Sequence, residues 1–322
     1  MRSETSGTYG TAAGSGWRRR PDGTLEIRQV AVALGGGLVL AVLLARLAWL
    51  GDDAFITFRV VENFLSGHGL TWNVGERVQS YTNPLWLALM IAVRGTGADL
   101  VTGSFLLSIG VSLAAAAVLM LCLARGWPEA LFAALVLAAS KAFTDYSTSG
   151  LENPASNLLA VLFAWSLLRR RFLFLPWLLV GLAALNRLDL VVLLGPAAAW
   201  HALGALRAGR YRALAGAMAA GLLPAVLWLG FAWFYYGTPL PNTFYAKIDL
   251  SADRVAMLRF GLGYFANAWT WDPVTVATLV VGLGLGLARG DGAARALAAG
   301  GLAYCAYILW VGGDFMSGRF LT

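Results

Sequence analysis

VAVALGGGLVLAVLLARLAWLGDDAFITFR, residues 30–59, joins an apolar run carrying one charge, Arg46, to two adjacent carboxylates, Asp52 and Asp53. A helix needs about 20 apolar residues to cross a bilayer, and residues 30–50 supply them. The run is too long for a signal-peptide core, and no small-residue cleavage site precedes Gly51. It reads as an uncleaved first span that delivers an acidic pair to the membrane surface.

The rest of the chain agrees with that reading. Of 322 residues, 59% are hydrophobic and 13% charged, with a mean hydropathy of +0.68. Soluble domains carry about 25% charge, so this chain has too few polar residues to cover a water-facing surface. The net charge of +7 comes from clusters between apolar runs, at Arg18–Arg20, Arg169–Arg171 and around Arg207, Arg210 and Arg212. Such clusters mark cytoplasmic loops, so the charge argues against a nucleic-acid partner. Cys122 and Cys305 both sit in apolar runs, and His68 and His201 have no ligand spacing around them.

The expected fold is therefore all-α and polytopic. Candidate spans are about 30–50, 100–123, 129–144, 154–168, 172–186, 190–205, 213–235, 274–289 and 296–311. Leaving out the short run 84–93, as a half-buried juxtamembrane helix, puts every large basic cluster on the inside. About nine spans follow, with the N-terminus inside. Residues 1–28, polar and then basic, read as a disordered cytoplasmic tail, and 29–322 as the transmembrane domain. The chain ends just past a span in what reads as an outer loop, as an N-terminal piece of something longer would.

Nearly all acidic residues of the spanning region then face outward. After Asp52, expected as a helix N-cap, Arg59, Glu62, Asn63 and Ser66 form a polar face opposite Phe55, Phe58, Val61 and Leu65. That is an amphipathic helix on the outer surface. Asp52 and Arg59 lie on its same side, able to flank a phosphate-bearing ligand or merely to cap and solvate an interface. Trp72, Tyr81 and Trp86 suit the headgroup level. Glu152 in SGLENP can position a hydroxyl or favour a helix start. In NRLD, Arg187 is a candidate phosphate contact with Asp189 as its partner, since charges at membrane depth pair; a structural ion pair is the bland alternative. Asn242 and Lys247 in LPNTFYAK, and Asp314 and Arg319 in GGDFMSGR, complete the polar set. No Walker, dinucleotide, nucleophile-elbow or zinc motif occurs. An outer-face enzyme without a nucleotide site needs an activated substrate delivered in the membrane.

DDAFITFR, GHGLTWNVGERVQSYTNPLW, SGLEN, NRLD, LPNTFYAK and GGDFMSGR together resemble the GT-C superfamily of integral-membrane glycosyltransferases. The likeness is to its bacterial arabinofuranosyltransferase-like branch, which includes proteins described as flagellar motor control proteins. It covers most of the chain from Ala48 onward. Lipid A aminoarabinose transferases and protein O-mannosyltransferases are more distant, with Asp-Glu in place of Asp52-Asp53 and Lys-Pro-Pro in place of Asn83-Pro84.

The resemblance implies a polyprenyl-phospho-sugar donor, possession of a GT-C-like domain, and transfer to a glycan, lipid or protein acceptor on the extracytoplasmic face of the cell membrane. It makes Asp52 the catalytic base and Asp53 the residue that orients the acceptor. Glu152 falls where family members often carry another acid. Arg59, Arg187 and Lys247 can then oppose charge on the departing phosphate. Nearby carboxylates are compatible with a divalent cation, Mg or Ca. Two other readings stay open: a transporter for lipid-linked sugars, which would place ionisable groups mid-membrane, and a non-catalytic membrane scaffold.

Overall fold

The computed structural model describes residues 26–169, 172–247 and 253–321. The proposed tail lies almost wholly outside them, although Ile27 and Arg28 already belong to the first helix. The helices are α1 (Ile27–Arg46), α2 (Ala54–Leu65), α3 (Pro84–Gly95), α4 (Leu100–Ala117), α5 (Trp127–Ala139), α6 (Lys141–Tyr146) and α7 (Asn153–Arg169). They continue as α8 (Leu175–Asn186), α9 (Leu190–Arg207), α10 (Tyr211–Tyr236), α11 (Asn242–Lys247), α12 (Arg254–Trp271), α13 (Pro273–Arg289) and α14 (Gly292–Val311). A π-helical segment, Val118–Leu123, extends α4, and a 3-10 turn, Arg319–Leu321, follows α14. No strand occurs among the described residues.

The helix boundaries follow local chemistry. Proline opens α3, α5, α8 and α13, where a missing N–H costs nothing. Asp99, Ser140, Asp253, Asp272 and Asp291 each accept a hydrogen bond from a first-turn backbone N–H, satisfying donors that a helix start leaves open. Inside, α14 packs along α9, α10 along α8 and α1 along α5. Leu34, Leu106, Phe132, Leu135, Val226, Phe234 and Val280 point outward from five of the helices. An exposed apolar surface of this extent is what a bilayer, not water, would cover.

Five helices are long and apolar enough to cross a membrane: α1, α4 with its π extension, α9, α10 and α14. A sixth candidate is the pair α12 and α13, bent by 114°. This is fewer than the nine spans read from the sequence. The apolar runs near 129–144, 154–168 and 172–186 are helical, but α5, α7 and α8 have 13, 17 and 12 residues. At 1.5 Å per residue these are shorter than the hydrocarbon core. Pro84–Gly95, expected as a juxtamembrane helix, forms a helix of 12 residues, the same length as α8. The stretch between α10 and α13 carries α11 and α12.

The loops that follow α1, α6, α8 and α14 meet at one end. Gly51 N–H donates to Ser149 O at 2.9 Å, Trp86 Nε1 to Gly150 O at 3.0 Å, and Tyr146 OH to Ser317 O at 2.9 Å. Trp86 is fully buried, so it is a core anchor and not the headgroup-level residue its sequence position suggested. Gly150 has φ of +77°, and a Cβ there would stand 2.6 Å from Leu50 Cδ2 and 2.7 Å from Ala54 Cβ. Only glycine allows this close crossing of the two loops.

Candidate active site

Two adjoining clefts open at this end. The first has a polar end formed by Glu152, Arg187, Asp189, Asp314 and Arg319. Its apolar walls come from Leu185 and Leu188, from Ala225, Trp228 and Leu229 of α10, and from Trp310 and Val311 of α14. The second shares Thr82, Glu152, Thr243, Asp314 and Arg319 with the first and adds Asp53, Tyr81 and Asn83.

Glu152 is the hub. Its carboxylate is 2% exposed and accepts from Asn83 Nδ2 at 2.9 Å and from Arg319 Nη2 at 3.3 Å. Arg187 Nε stands 3.8 Å away. Asn186 Nδ2 donates to the Glu152 backbone carbonyl at 3.0 Å and to Ser156 Oγ at 2.9 Å, fixing the start of α7 against the end of α8. Burial alone would raise the Glu152 pKa, but Arg319, Arg187 and the Asn83 hydrogen bond outweigh it and hold the carboxyl below its ordinary value.

Arg187 and Asp189 form the expected pair, with Nη2–Oδ2 at 2.7 Å and Nε–Oδ1 at 3.2 Å. Tyr304 OH donates to Asp189 Oδ2 at 2.7 Å and accepts from Arg187 Nη2 at 3.0 Å. Arg319 is shared differently. Its Nη1 stands 3.6 Å from Asp53 Oδ2 and 3.7 Å from Asp314 Oδ2. Buried ion pairs are weak sources of stability, because desolvation cancels much of the attraction. Ionisable groups gathered this way in a membrane-protein fold make the cluster the candidate site.

The acidic pair divides. Asp53, not Asp52, occupies the α2 N-cap position, and its side chain makes no capping bond. It lines the second cleft. Burial raises its pKa, Arg319 lowers it, and Asp52, Asp314 and Glu152 raise it further, for a net upward shift. Asp52 is exposed, and its Oδ1 accepts from Asp53 N–H at 3.0 Å.

Not every expected residue joins the cluster. Arg59 donates to Trp72 O at 2.9 Å and stacks over the Trp72 ring at 4.5 Å. Helical periodicity placed it on the same face as Asp52 but could not show that the loop after α2 folds back to meet it. The same loop covers the helix differently from expectation: Phe58 and Val61 are buried, whereas Phe55 and Leu65 are exposed. Tyr81 reaches the second cleft as a buried residue, its hydroxyl 2.7 Å from Tyr236 OH. Asn242 is exposed and lines neither cleft. The Lys247 side chain lies outside the described residues.

Asn83, Asn186 and Tyr304 were not singled out from sequence. The two asparagines stand inside stretches that were quoted, Asn83-Pro84 and NRLD, but were given no role there. Tyr304 sits inside an apolar run without one. Among the described residues, no three His, Cys, Asp or Glu side chains are arranged to hold a metal ion. The carboxylates here converge on guanidinium groups instead.

The chain is similar to two arabinofuranosyltransferases along most of its length. The terminal β-(1→2)-arabinofuranosyltransferase of Mycobacterium tuberculosis is 29% identical over 92% of this chain and 53% of its own length. The protein of the same name from Corynebacterium glutamicum is 30% identical over 85% of this chain and 46% of its own. The chain thus spans about half the length of the curated relatives it matches. No family model matches it, and no solved structure matches it significantly. The likeness is to glycosyltransferases, and the five long apolar helices are those of a multi-pass membrane protein.

Proposed function

We propose that the chain is a GT-C-type glycosyltransferase that moves a sugar, an arabinofuranosyl group first among candidates, from a polyprenyl phosphate to a glycan hydroxyl. The observation that carries this is the first cleft: apolar walls suited to a lipid chain end in a buried cluster holding Arg187 and Arg319. The two relatives support the reaction class.

In this reading the sugar–phosphate C–O bond breaks as the acceptor oxygen bonds to the same carbon. The polyprenyl phosphate leaves with the electron pair, and cations at the polar end oppose its charge. The acceptor proton passes to a carboxylate base. We assign that base to Asp53 in preference to Asp52. What supports the choice is its place in the cleft wall and its raised pKa, which brings a general base nearer the working pH. The reaction is proposed for the extracytoplasmic face of the cell membrane, opposite the basic turn around Arg207, Arg210 and Arg212. The shorter helices are proposed to cross as well, giving nine spans. In support, the bond between Asn186 and Glu152 brings the end of α8 back to the start of α7, as two antiparallel crossings would.

Sugar transfer from radiolabelled polyprenyl-phospho-arabinofuranose to an oligoarabinoside, in membranes carrying the chain, tests this. Asp53→Asn is expected to cost about 10²–10⁴-fold in rate, the usual contribution of a positioned base, while donor binding persists. Asp52→Asn run in parallel decides between the two carboxylates: the larger loss there would move the base to Asp52. Absence of transfer from any donor in a panel of polyprenyl-phospho-sugars would sink the enzymatic reading.

A further inference from the structure

The two guanidinium groups of the cluster are held in different ways. Arg187 is committed: Asp189 takes it bidentately, with Tyr304 closing the ring of bonds. Planar, two-point pairing of this kind is the strong form of the arginine–carboxylate contact. Arg319 instead reaches three carboxylates on three different segments, Asp53, Glu152 and Asp314, at 3.6, 3.3 and 3.7 Å. These separations are longer than good charge-assisted hydrogen bonds. Arg319 also lines both clefts, whereas Arg187 lines the first alone.

The charge balance sharpens the contrast. The cluster holds four carboxylates, Asp53, Glu152, Asp189 and Asp314, against two guanidinium groups. An incoming phosphate must therefore compete with a carboxylate already in place. Glu152 and Asp314 have side chains 2% and 7% exposed, while Asp53 is 37% exposed. Asp53 is the one with access to water, so it loses least on giving up its cation.

We propose that Arg319 is handed from Asp53 to the phosphate of the donor, so that donor binding itself frees Asp53 to act as the base. This rests on the polyprenyl-phosphate donor and the Asp53 base proposed above. Before donor arrives, Arg319 holds the Asp53 carboxyl less basic than its burial and acidic neighbours alone would make it. The groups facing Asp53 are Asp52 on its own turn, Arg319 and Asp314 from the loop after α14, and Glu152 from the loop before α7. Arg319 is the cation of that set. Once the phosphate draws it away, three carboxylates and the phosphate surround Asp53, and its proton affinity rises. The acceptor proton then has a base that strengthens when the donor is in place. When the sugar has moved, the phosphate dianion still holds Arg319 until it leaves, and its departure restores the resting pair.

Binding of a polyprenyl monophosphate to the chain in lipid nanodiscs, measured against the same polyprenol without phosphate, tests the hand-off apart from catalysis. Removing the competing carboxylate should tighten binding: Asp53→Asn is expected to bind about two- to fivefold better than wild type, the size of one part-exposed ion pair. In an Arg319→Gln background, which itself binds more weakly, the same Asp53→Asn change should bring no gain. If Arg319→Gln does not fold, Arg319→Lys takes its corner of the cycle, with the gain reduced. A purely structural role for Asp53 predicts equal or weaker binding in Asp53→Asn, and that result overturns the hand-off. So does a gain that survives the loss of Arg319. Either leaves the donor reading standing if wild type still prefers the phosphate to the alcohol. No preference for the phosphate in wild type overturns both.

Discussion

Asp53 and Glu152 share one cluster, yet their carboxyls are driven in opposite directions. Burial and three neighbouring acids lift Asp53 despite Arg319; for Glu152 the two arginines and Asn83 overcome a larger burial cost. The signs lead to separate pH windows. Lowering pH through the raised Asp53 value protonates the base, while the folded state is favoured by that protonation. Glu152, with a depressed value, contributes stability that is present above the ordinary glutamate pKa of about 4.3 and is lost as pH falls through its folded value. Transfer activity is therefore expected to fall on the acid side above the ordinary aspartate range, with the fold intact and activity recovered on returning to neutral pH. Unfolding should come only at lower pH. Activity profiles beside tryptophan fluorescence on the same samples check this, and coincident loss of the two would refute it. At this scale the sequence was informative where charge was rare: Asp53, Glu152, Arg187, Asp189, Asp314 and Arg319 stand out in a chain with 13% charged residues, and all six meet. Neutral polar groups do not stand out that way, which is why Asn83 and Tyr304 emerged only from the structure.

Helices in this molecule are shaped by approach distances and by where backbone groups find partners. α8 and α10 touch at glycines: a Cβ on Gly221 would lie 2.6 Å from Leu178 N, and one on Gly181 would lie 2.7 Å from Gly221 O. Small residues allow such backbone contact between membrane helices, and here it sets the distance between two walls of the first cleft. The π segment after α4 makes a different demand. Ala124 N–H bonds to Leu119 O and Arg125 N–H turns to Glu129 Oε2, which leaves carbonyls to be satisfied from elsewhere. Gln29 of α1, 4% exposed, supplies the donor: its Nε2 reaches Met120 O at 2.8 Å and Ala124 O at 3.3 Å. Gln29→Leu keeps the volume and removes the donor, so it is expected to destabilise the protein by about 1–3 kcal/mol, the cost of an unsatisfied buried acceptor. Thermal unfolding in detergent should show a lower midpoint; an unchanged midpoint would mean that the segment does not depend on α1. The extent of the apolar run 100–123 was legible in sequence. The change from α to π hydrogen bonding was not, and the carbonyls it frees meet a glutamine 91 residues away in sequence from Met120.

Over the whole molecule, the alternation of basic and acidic connections anticipated which loops would assemble. The loops after α1, α6, α8 and α14 do form the cluster, and Arg207, Arg210 and Arg212 fall at the turn between α9 and α10. Helix length was harder to read, since several apolar runs are cut short by proline or by a capping acid that hydropathy does not weigh. Five helices therefore satisfy the length and composition of a span where the runs suggested nine. The sidedness proposed for the cluster has a direct consequence. Val74 lies in the exposed loop between α2 and α3, 61% exposed, and Arg210 is exposed at the turn between α9 and α10. With Cys122 and Cys305 replaced by alanine, a cysteine at position 74 is expected to react with a membrane-impermeant thiol reagent in intact cells. One at position 210 should react only after permeabilisation. Labelling of both from the outside would show that α9 and α10 do not place their turn opposite the cluster, and labelling in the reverse order would put the cluster, and the reaction proposed for it, on the cytoplasmic face.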